Sequence, residues 1–196
     1  MKSLAIEREF GSGGREIGMK VAETAKIPYY DGELLYRAAE AQGISVGKMS
    51  EYDEKRIGSI LYDIAAYADI MQGNGESVYE IFNGLKKTIE QLQIDGPAVF
   101  IGRCSTDILK DSSKTLRVFI YSSDSKDRIY RTVKKEGVSE SEARKLLEKK
   151  DRQRKNYFRF WTHKEWMDRN NYDMELNTSI LSIETCVKIL LSAMNV

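Results

Sequence analysis

The chain has 196 residues, 41% of them hydrophobic and 31% charged, with a formal net charge of +1. That size suits one well-buried α/β domain with room for a helical insertion, and it is too short for two full-sized domains. The composition excludes a disordered chain, the modest overall basicity and lack of an interleaved aromatic platform exclude a dedicated nucleic-acid binder, and no apolar run approaches the roughly 20 residues that span a bilayer.

The elements follow in order. An apolar strand (Leu4, Ala5, Ile6) begins at the N-terminus in place of a signal peptide, which makes the cytoplasm the expected location. It runs into glycines at 11, 13 and 14, and a helix pattern follows at once in Ile17, Val21, Ala22 and Ala25. Ile27 to Tyr30 reads as a short second strand and Gly32 to Gln42 as a helix. Ile44 to Ile94 reads as helical, with Ile57, Ile60, Leu61, Ile64 and Ala65 on one face and Ile81, Leu85, Ile89 and Leu92 on another. Gln72 to Ser77, with two glycines, breaks it in two.

Pro97 to Ile101 is a buried strand, Ser105 to Lys110 a short helix, and Leu116 to Tyr121 another buried strand. Ser125 to Glu136 and Ser139 to Arg154 are helices, the second opened by an S-x-x-E capping box at Ser139 and Glu142. Tyr172 to Asn177 makes a last strand and Ser182 to Met194 a final helix. Short apolar strands alternating with helices predict a parallel sheet covered on both faces, with ligands outside the carboxyl ends of its strands. That rule groups Glu7 to Gly14, Asp31, Gly102 to Arg103 and Asn177.

Leu4 to Gly18 has the layout of a phosphate-binding loop. Its glycines let backbone N–H groups close around an anion, and the helix start adds roughly half a positive charge. The standard pattern is GxxxxGK[ST]. With Gly13 at its last glycine, Gly14 occupies the lysine position and Arg8 the first glycine position. Arg15 is the candidate to supply the missing charge, because a guanidinium grips phosphate with two prongs. A glycine-rich turn that binds nothing fits the same residues.

Two cysteines, Cys104 and Cys186, and one histidine, His163, indicate neither a zinc site nor a disulfide framework, and His163 reads as a surface side chain. Charge is uneven: Lys126 to Arg169 holds about 15 Lys/Arg against about 8 Asp/Glu, and Ile44 to Gly96 about 5 against about 9. Most of the basic run reads as a solvated helix face.

Several segments in this order resemble the cytidylate kinases, most closely the cytidylate kinase-like branch of the nucleoside monophosphate kinases. GSGG at 11 to 14 falls where that family has its phosphate loop. Asp31-Gly32-Glu33-Leu34-Leu35-Tyr36-Arg37 resembles a D-S-G-x-x-Y-R segment. Gly102-Arg103 resembles a G-R-D segment, with Cys104 in place of its acid. Asp151-Arg152-Gln153-Arg154 resembles the D-R-x-R of a mobile lid, and LNTSILSIE at 176 to 184 the last strand and helix entry.

The resemblance implies an α/β three-layer sandwich of the P-loop nucleoside monophosphate kinase type, built on a parallel five-stranded sheet. It implies a single domain: core at 1–43, 97–136 and 157–196, a helical monophosphate-binding insertion at 44–96, and a lid at 137–156. ATP with Mg2+ would lie over Gly11, Ser12, Gly13, Gly14, Arg15 and Glu16, with Glu16, at the hydroxyl position of the family's GKGT, as the candidate metal contact. A nucleoside monophosphate, CMP or dCMP, would be held by Asp31, Tyr36, Arg37, Arg103 and Asp151. Arg15, Arg152 and Arg154 would stabilise the transferring phosphoryl group. The insertion is also the candidate surface for a homodimer. Because Gly14 replaces the lysine, a nucleotide-binding sensor or regulator without catalysis is the alternative, and a partner-binding module with an empty loop is the third.

Overall fold

The first strand, β1 (Ser3–Arg8), is buried along its whole length, as a strand covered on both faces must be. It pairs in parallel with β3 (Val99–Ile101) on one side and β4 (Thr115–Tyr121) on the other, so that Ile6 lies between Ile101 and Val118. Outside these come β2 (Tyr29–Tyr30), against β3, and β5 (Met174–Asn177), against β4. The result is one parallel five-stranded sheet in the order β2-β3-β1-β4-β5. The computed structural model describes residues 1–41, 43 and 78–195. Ile57, Ile60, Leu61, Ile64, Ala65 and the break at 72–77 lie outside the described residues.

Alternation along the strands sends side chains to two faces. Leu4 and Ile6 pack with Ile17 and Val21 of α1 (Gly14–Ala25) and with Cys186 and Leu190 of α7 (Ile183–Met194). On the opposite face Phe100 meets Leu35 and Ala39 of α2 (Gly32–Ala41) and Leu85 and Ile89 of α3 (Val78–Asp95). Phe119 joins Cys104, Tyr157, Phe158, Trp166 and Tyr172 in an aromatic cluster on the same side. The expected three-layer α/β sandwich is therefore present. The remaining α-helices among the described residues are α4 (Ser105–Ile108), α5 (Ser125–Glu136) and α6 (Glu140–Thr162).

The chain leaves β1 toward β2 on one side and leaves β3 toward β4 on the other. Between strands whose exits diverge in this way a crevice opens at their carboxyl ends, and ligands of such sheets bind there.

Several boundaries differ from those expected, among them the start of β3, at Val99 in place of Pro97, and the end of α4, at Ile108 in place of Lys110. The second strand is only Tyr29–Tyr30. The last strand starts at Met174, because Asp168 caps a 3₁₀ turn at Arg169–Asn171 and Tyr172 is drawn into the aromatic cluster. The largest difference is α6, expected to end at Arg154, which continues unbroken to Thr162. Its extra turns are held by packing: Tyr157 and Phe158 are buried, and Trp161 stacks on Phe82 of α3 with ring centroids 4.0 Å apart. The capping box at Ser139 and Glu142 forms as expected. Both cysteines are buried and free, and His163 is exposed.

Replacing Phe158, which is 1% exposed, with alanine should cost about 3–5 kcal/mol, whereas Arg152→Ala on the exposed side of the same helix should stay within about 0.5 kcal/mol. Equilibrium unfolding in urea of the two variants checks this.

Candidate active site

The segment from Glu9 to Gly13 joins β1 to α1 and is held from outside by three arginines. Arg154 Nη1 donates to the carbonyl of Arg8 at 2.9 Å, Arg128 Nε to that of Phe10 at 2.9 Å, and Arg131 Nη1 to that of Ser12 at 2.9 Å. Thr178 Oγ1, just past β5, donates to the same Ser12 oxygen at 2.8 Å. The amide of Phe10 is taken by Asp151 Oδ1 at 2.7 Å. Arg128 is itself paired with Asp151 and, at 3.2 Å, with Glu9. Burial pushes the Glu9 carboxyl above its ordinary value, against the opposing pull of the Ser122 amide and Arg128.

These bonds set the loop's shape. Gly13 sits at φ +84° as the N-cap of α1, a left-handed conformation that costs other residues about 1–2 kcal/mol. A Cβ there would also come within 2.6 Å of Ile183 Cδ1. Ser12 is fully buried and braces the loop internally, its Oγ donating to the Glu9 carbonyl at 2.9 Å and accepting from the Gly14 amide at 3.3 Å. Gly11 lies against α5 and Thr132. With the Gly14 amide taken by Ser12 Oγ, the next first-turn amides of α1, those of Arg15 and Glu16, lack intrahelical acceptors, and a helix start of this kind can bind an anion.

Gly14 has a steric cause. A Cβ at this position would approach Arg8 Cβ to 2.6 Å and Ile120 Cβ to 3.3 Å. The place where the standard pattern has its lysine is closed by Arg8 and the sheet.

Arg15 is not at the loop. Its Nε and Nη2 both donate to Asp31 Oδ2, at 3.1 and 2.7 Å, so Asp31 holds the guanidinium at the carboxyl end of β2. Asp31 also caps α2, accepting from the Leu34 amide at 3.3 Å. Burial alone would raise the Asp31 carboxyl, but the bonds from Arg15 and from the α2 amides outweigh it and hold the group below its ordinary value. Glu16 pairs on the surface with Lys20 at 3.0 Å. Among the described residues no group of three or more His, Cys, Asp or Glu could hold a metal ion.

Across the crevice, the end of β3 turns through Gly102, Arg103 and Cys104, three consecutive residues at φ +78°, +61° and +58°. Two of these are not glycine, and such strain is retained where surrounding structure over-determines it, often at functional sites. The turn carries Arg103 inward, where it is 7% exposed. Its guanidinium lies over the rings of Tyr36 and Tyr157, 5.2 and 5.7 Å from their centroids. Cys104, in the place of the resemblance's acid, is buried in the aromatic cluster. Arg37 is exposed and pairs with Glu33 at 2.9 Å, and Arg152 is exposed on α6.

The fold thus gathers the loop, Asp151 and Arg154 on one side of the crevice and Asp31, Arg15, Tyr36 and Arg103 on the other. Arg37, Arg152 and Glu16 stand at the surface. Arg128, Arg131, Glu9 and Thr178 are not among the site residues expected from the sequence. The available signal was Arg128 and Arg131 three residues apart, hence on one helix face, within a basic run that otherwise reads as solvated.

The family model for cytidylate kinase-like proteins matches residues 3–180. The chain belongs to the cytidylate kinase-like family. Among solved structures, an uncharacterized protein from Eubacterium ventriosum is 25% identical, with a TM-score of 0.76 and coverage of 100% of this chain and 99% of that one. A gluconokinase from Sinorhizobium meliloti is 14% identical, with a TM-score of 0.53 and coverage of 99% and 91%. A shikimate kinase from Bacteroides thetaiotaomicron is 12% identical, with a TM-score of 0.53 and coverage of 100% and 99%. At that identity the two kinases establish a shared fold. No curated protein matches the chain. Among the described residues, no helix is long and apolar enough to cross a membrane.

The Arg15–Asp31 pair gives a pH signature for this cytidylate kinase-like chain. Because the Asp31 carboxyl is held below its ordinary value in the folded state, its contribution is complete above the ordinary aspartate range and is lost as pH falls through the folded-state value. Asp31→Asn keeps the helix cap, so it should cost about 0.5–1 kcal/mol at neutral pH, given a half-exposed arginine partner. That difference should disappear in acid. Urea unfolding of both proteins across pH checks it.

Proposed function

We propose that the protein is a cytoplasmic nucleoside monophosphate kinase that transfers the γ-phosphoryl group of ATP to CMP or dCMP. The observation that carries this reading is the braced glycine loop at the start of α1, facing the Arg103 turn across the β1/β3 crevice. Membership of the cytidylate kinase-like family supports it.

Packing against Ile183 and Arg8 requires glycine at 13 and 14, which keeps the loop's backbone close to the start of α1, where amides suit a polyphosphate. In this reading Gly11, Ser12, Gly13 and Gly14 hold the donor's phosphates with the first turn of α1. Arg103 and Arg37 hold the acceptor's phosphate, with Tyr36 fixing the plane of Arg103. Asp31 keeps Arg15 on the acceptor side, and Asp151 secures both Phe10 and Arg128. Arg152 and Arg154 of α6 spread the charge of the phosphoryl group in transit, the role cations have in this chemistry. Magnesium bound with ATP would neutralise the β- and γ-oxygens, with Glu16 as the carboxylate able to approach it. The acceptor is already an ionised phosphate, so no general base is required. The insertion would supply a homodimer face.

A specific observation favours a second reading. Gly14 has no room for the lysine on which transfer ordinarily relies, which suits a nucleotide-binding sensor or regulator. Measuring ADP formed from ATP and Mg2+ with CMP, dCMP, UMP, AMP and GMP in turn separates the two. The kinase reading predicts turnover with CMP or dCMP, and at least about a tenfold loss of kcat/KM in Arg103→Lys, which keeps the charge and loses the planar fork. Saturable ATP binding without turnover would select the sensor. Absence of both would overturn each and leave a partner-binding module.

A further inference from the structure

Arg8, the last residue of β1, carries a buried guanidinium whose Nε and Nη1 make no hydrogen bond among the described residues. The residue is 9% exposed. The nearest acid is Glu7, whose Oε2 stands 4.0 Å from Nη1 and accepts instead from Trp166 Nε1 at 3.3 Å. A desolvated guanidinium with idle donors is expensive. Such groups in a native protein call for an explanation, and a missing anionic ligand is the direct one.

The surrounding backbone is shaped to admit this side chain. Its root occupies the position a Cβ on Gly14 would take, at 2.6 Å, and a Cβ on Gly102 would collide with its Nη1. Arg8 therefore runs from the loop to the start of the Arg103 turn, along the crevice between the carboxyl ends of β1 and β3. A second cation closes on the same residue, since Arg154 Nη1 holds its carbonyl at 2.9 Å. In the standard loop pattern this position is a glycine and the charge comes from a lysine six residues later. Here the two are exchanged: the glycine stands at 14 and the cation at 8.

We propose that Arg8 is a phosphoryl-binding residue: Nε and Nη1 donate to non-bridging oxygens of the polyphosphate held by the loop, so that Arg8 supplies the charge that Gly14 lacks. This rests on the reading of the loop as a polyphosphate site and does not depend on turnover. It assigns to Arg8 the part first expected of Arg15, which Asp31 holds elsewhere.

The test is calorimetric titration of the full chain with inorganic tripolyphosphate and with Mg2+–ATP, for wild type, Arg8→Met, and Arg144→Met as a surface control. Urea unfolding of the three proteins without ligand accompanies it. The proposal predicts that wild type and Arg144→Met bind both ligands and that Arg8→Met binds tripolyphosphate roughly 10- to 100-fold more weakly, the range for losing hydrogen bonds to a charged group. It also predicts that unliganded Arg8→Met is as stable as wild type or more so, because a buried guanidinium with unmet Nε and Nη1 donors has been removed. Unchanged tripolyphosphate affinity in Arg8→Met would overturn the proposal. So would a folding defect in that variant, which would mean that Arg8 supports the structure itself. Failure of wild type to bind either ligand would overturn the polyphosphate reading of the loop together with the role of Arg8. Binding by wild type without phosphoryl transfer would overturn the kinase reading alone, and the Arg8 comparison would still decide this proposal.

Discussion

The carbonyls of Arg8, Phe10 and Ser12 each accept a hydrogen bond from an arginine of α5 or α6, and the geometry of the whole site depends on this. A loop of alternately tethered carbonyls cannot relax into an ordinary turn, so the glycines that follow hold left-handed and crowded conformations. Hydrogen bonds to charged groups contribute about 1.5–3 kcal/mol each, enough for three of them to offset the strain at Gly13 and the ordering of a short loop. The arginines are themselves fixed: Arg128 by Glu9 and Asp151, Arg131 by Thr178. An anion site formed in this way is organised before its ligand arrives, so that little ordering entropy is charged against binding.

The same contacts tie the loop to α6. This helix supplies Asp151 and Arg154 to the loop near its middle and inserts Tyr157 and Phe158 into the core at its far end. A rigid rod anchored in the aromatic cluster therefore carries two of the groups that set the loop. Displacing its middle would release the Phe10 amide and the Arg8 carbonyl together. If α6 moves over a bound nucleotide, the loop must respond in the same step, because the same side chains serve both.

Much of this was legible in the sequence wherever local pattern decides structure. The apolar run of β1, the glycines at 11, 13 and 14 and the helix period after them are neighbours along the chain, and the fold keeps that arrangement. The capping box at Ser139 and Glu142 announced the start of α6. Its end was not announced: Tyr157, Phe158 and Trp161 stand at helical spacing but are cut off from Leu147 by the polar run at 148–155, and what carries the helix to Thr162 is burial against Phe82 and the core. Arg15 illustrates the same limit in the site. Its position in the chain pointed to the loop, but Asp31, brought close only by the placing of β2, takes the guanidinium. Arg128 and Arg131 were hidden in a basic run because two structural cations and a solvated face have the same composition. Arg8 registered as a departure from a pattern, and its meaning emerged only once Gly14 and Gly102 were seen to make way for it.

The proposed kinase activity requires that one crevice hold a phosphate donor on the loop side and a monophosphate acceptor on the Arg103 side, in line for transfer. The most direct measurement is calorimetric binding of a bisubstrate analogue, adenosine and cytidine joined by a pentaphosphate. The account predicts one analogue per chain, bound more tightly than ATP or CMP alone, and displaced by either. Affinity no greater than that of ATP, with CMP unable to compete, would mean that the acceptor side is not built for a nucleotide and would contradict it.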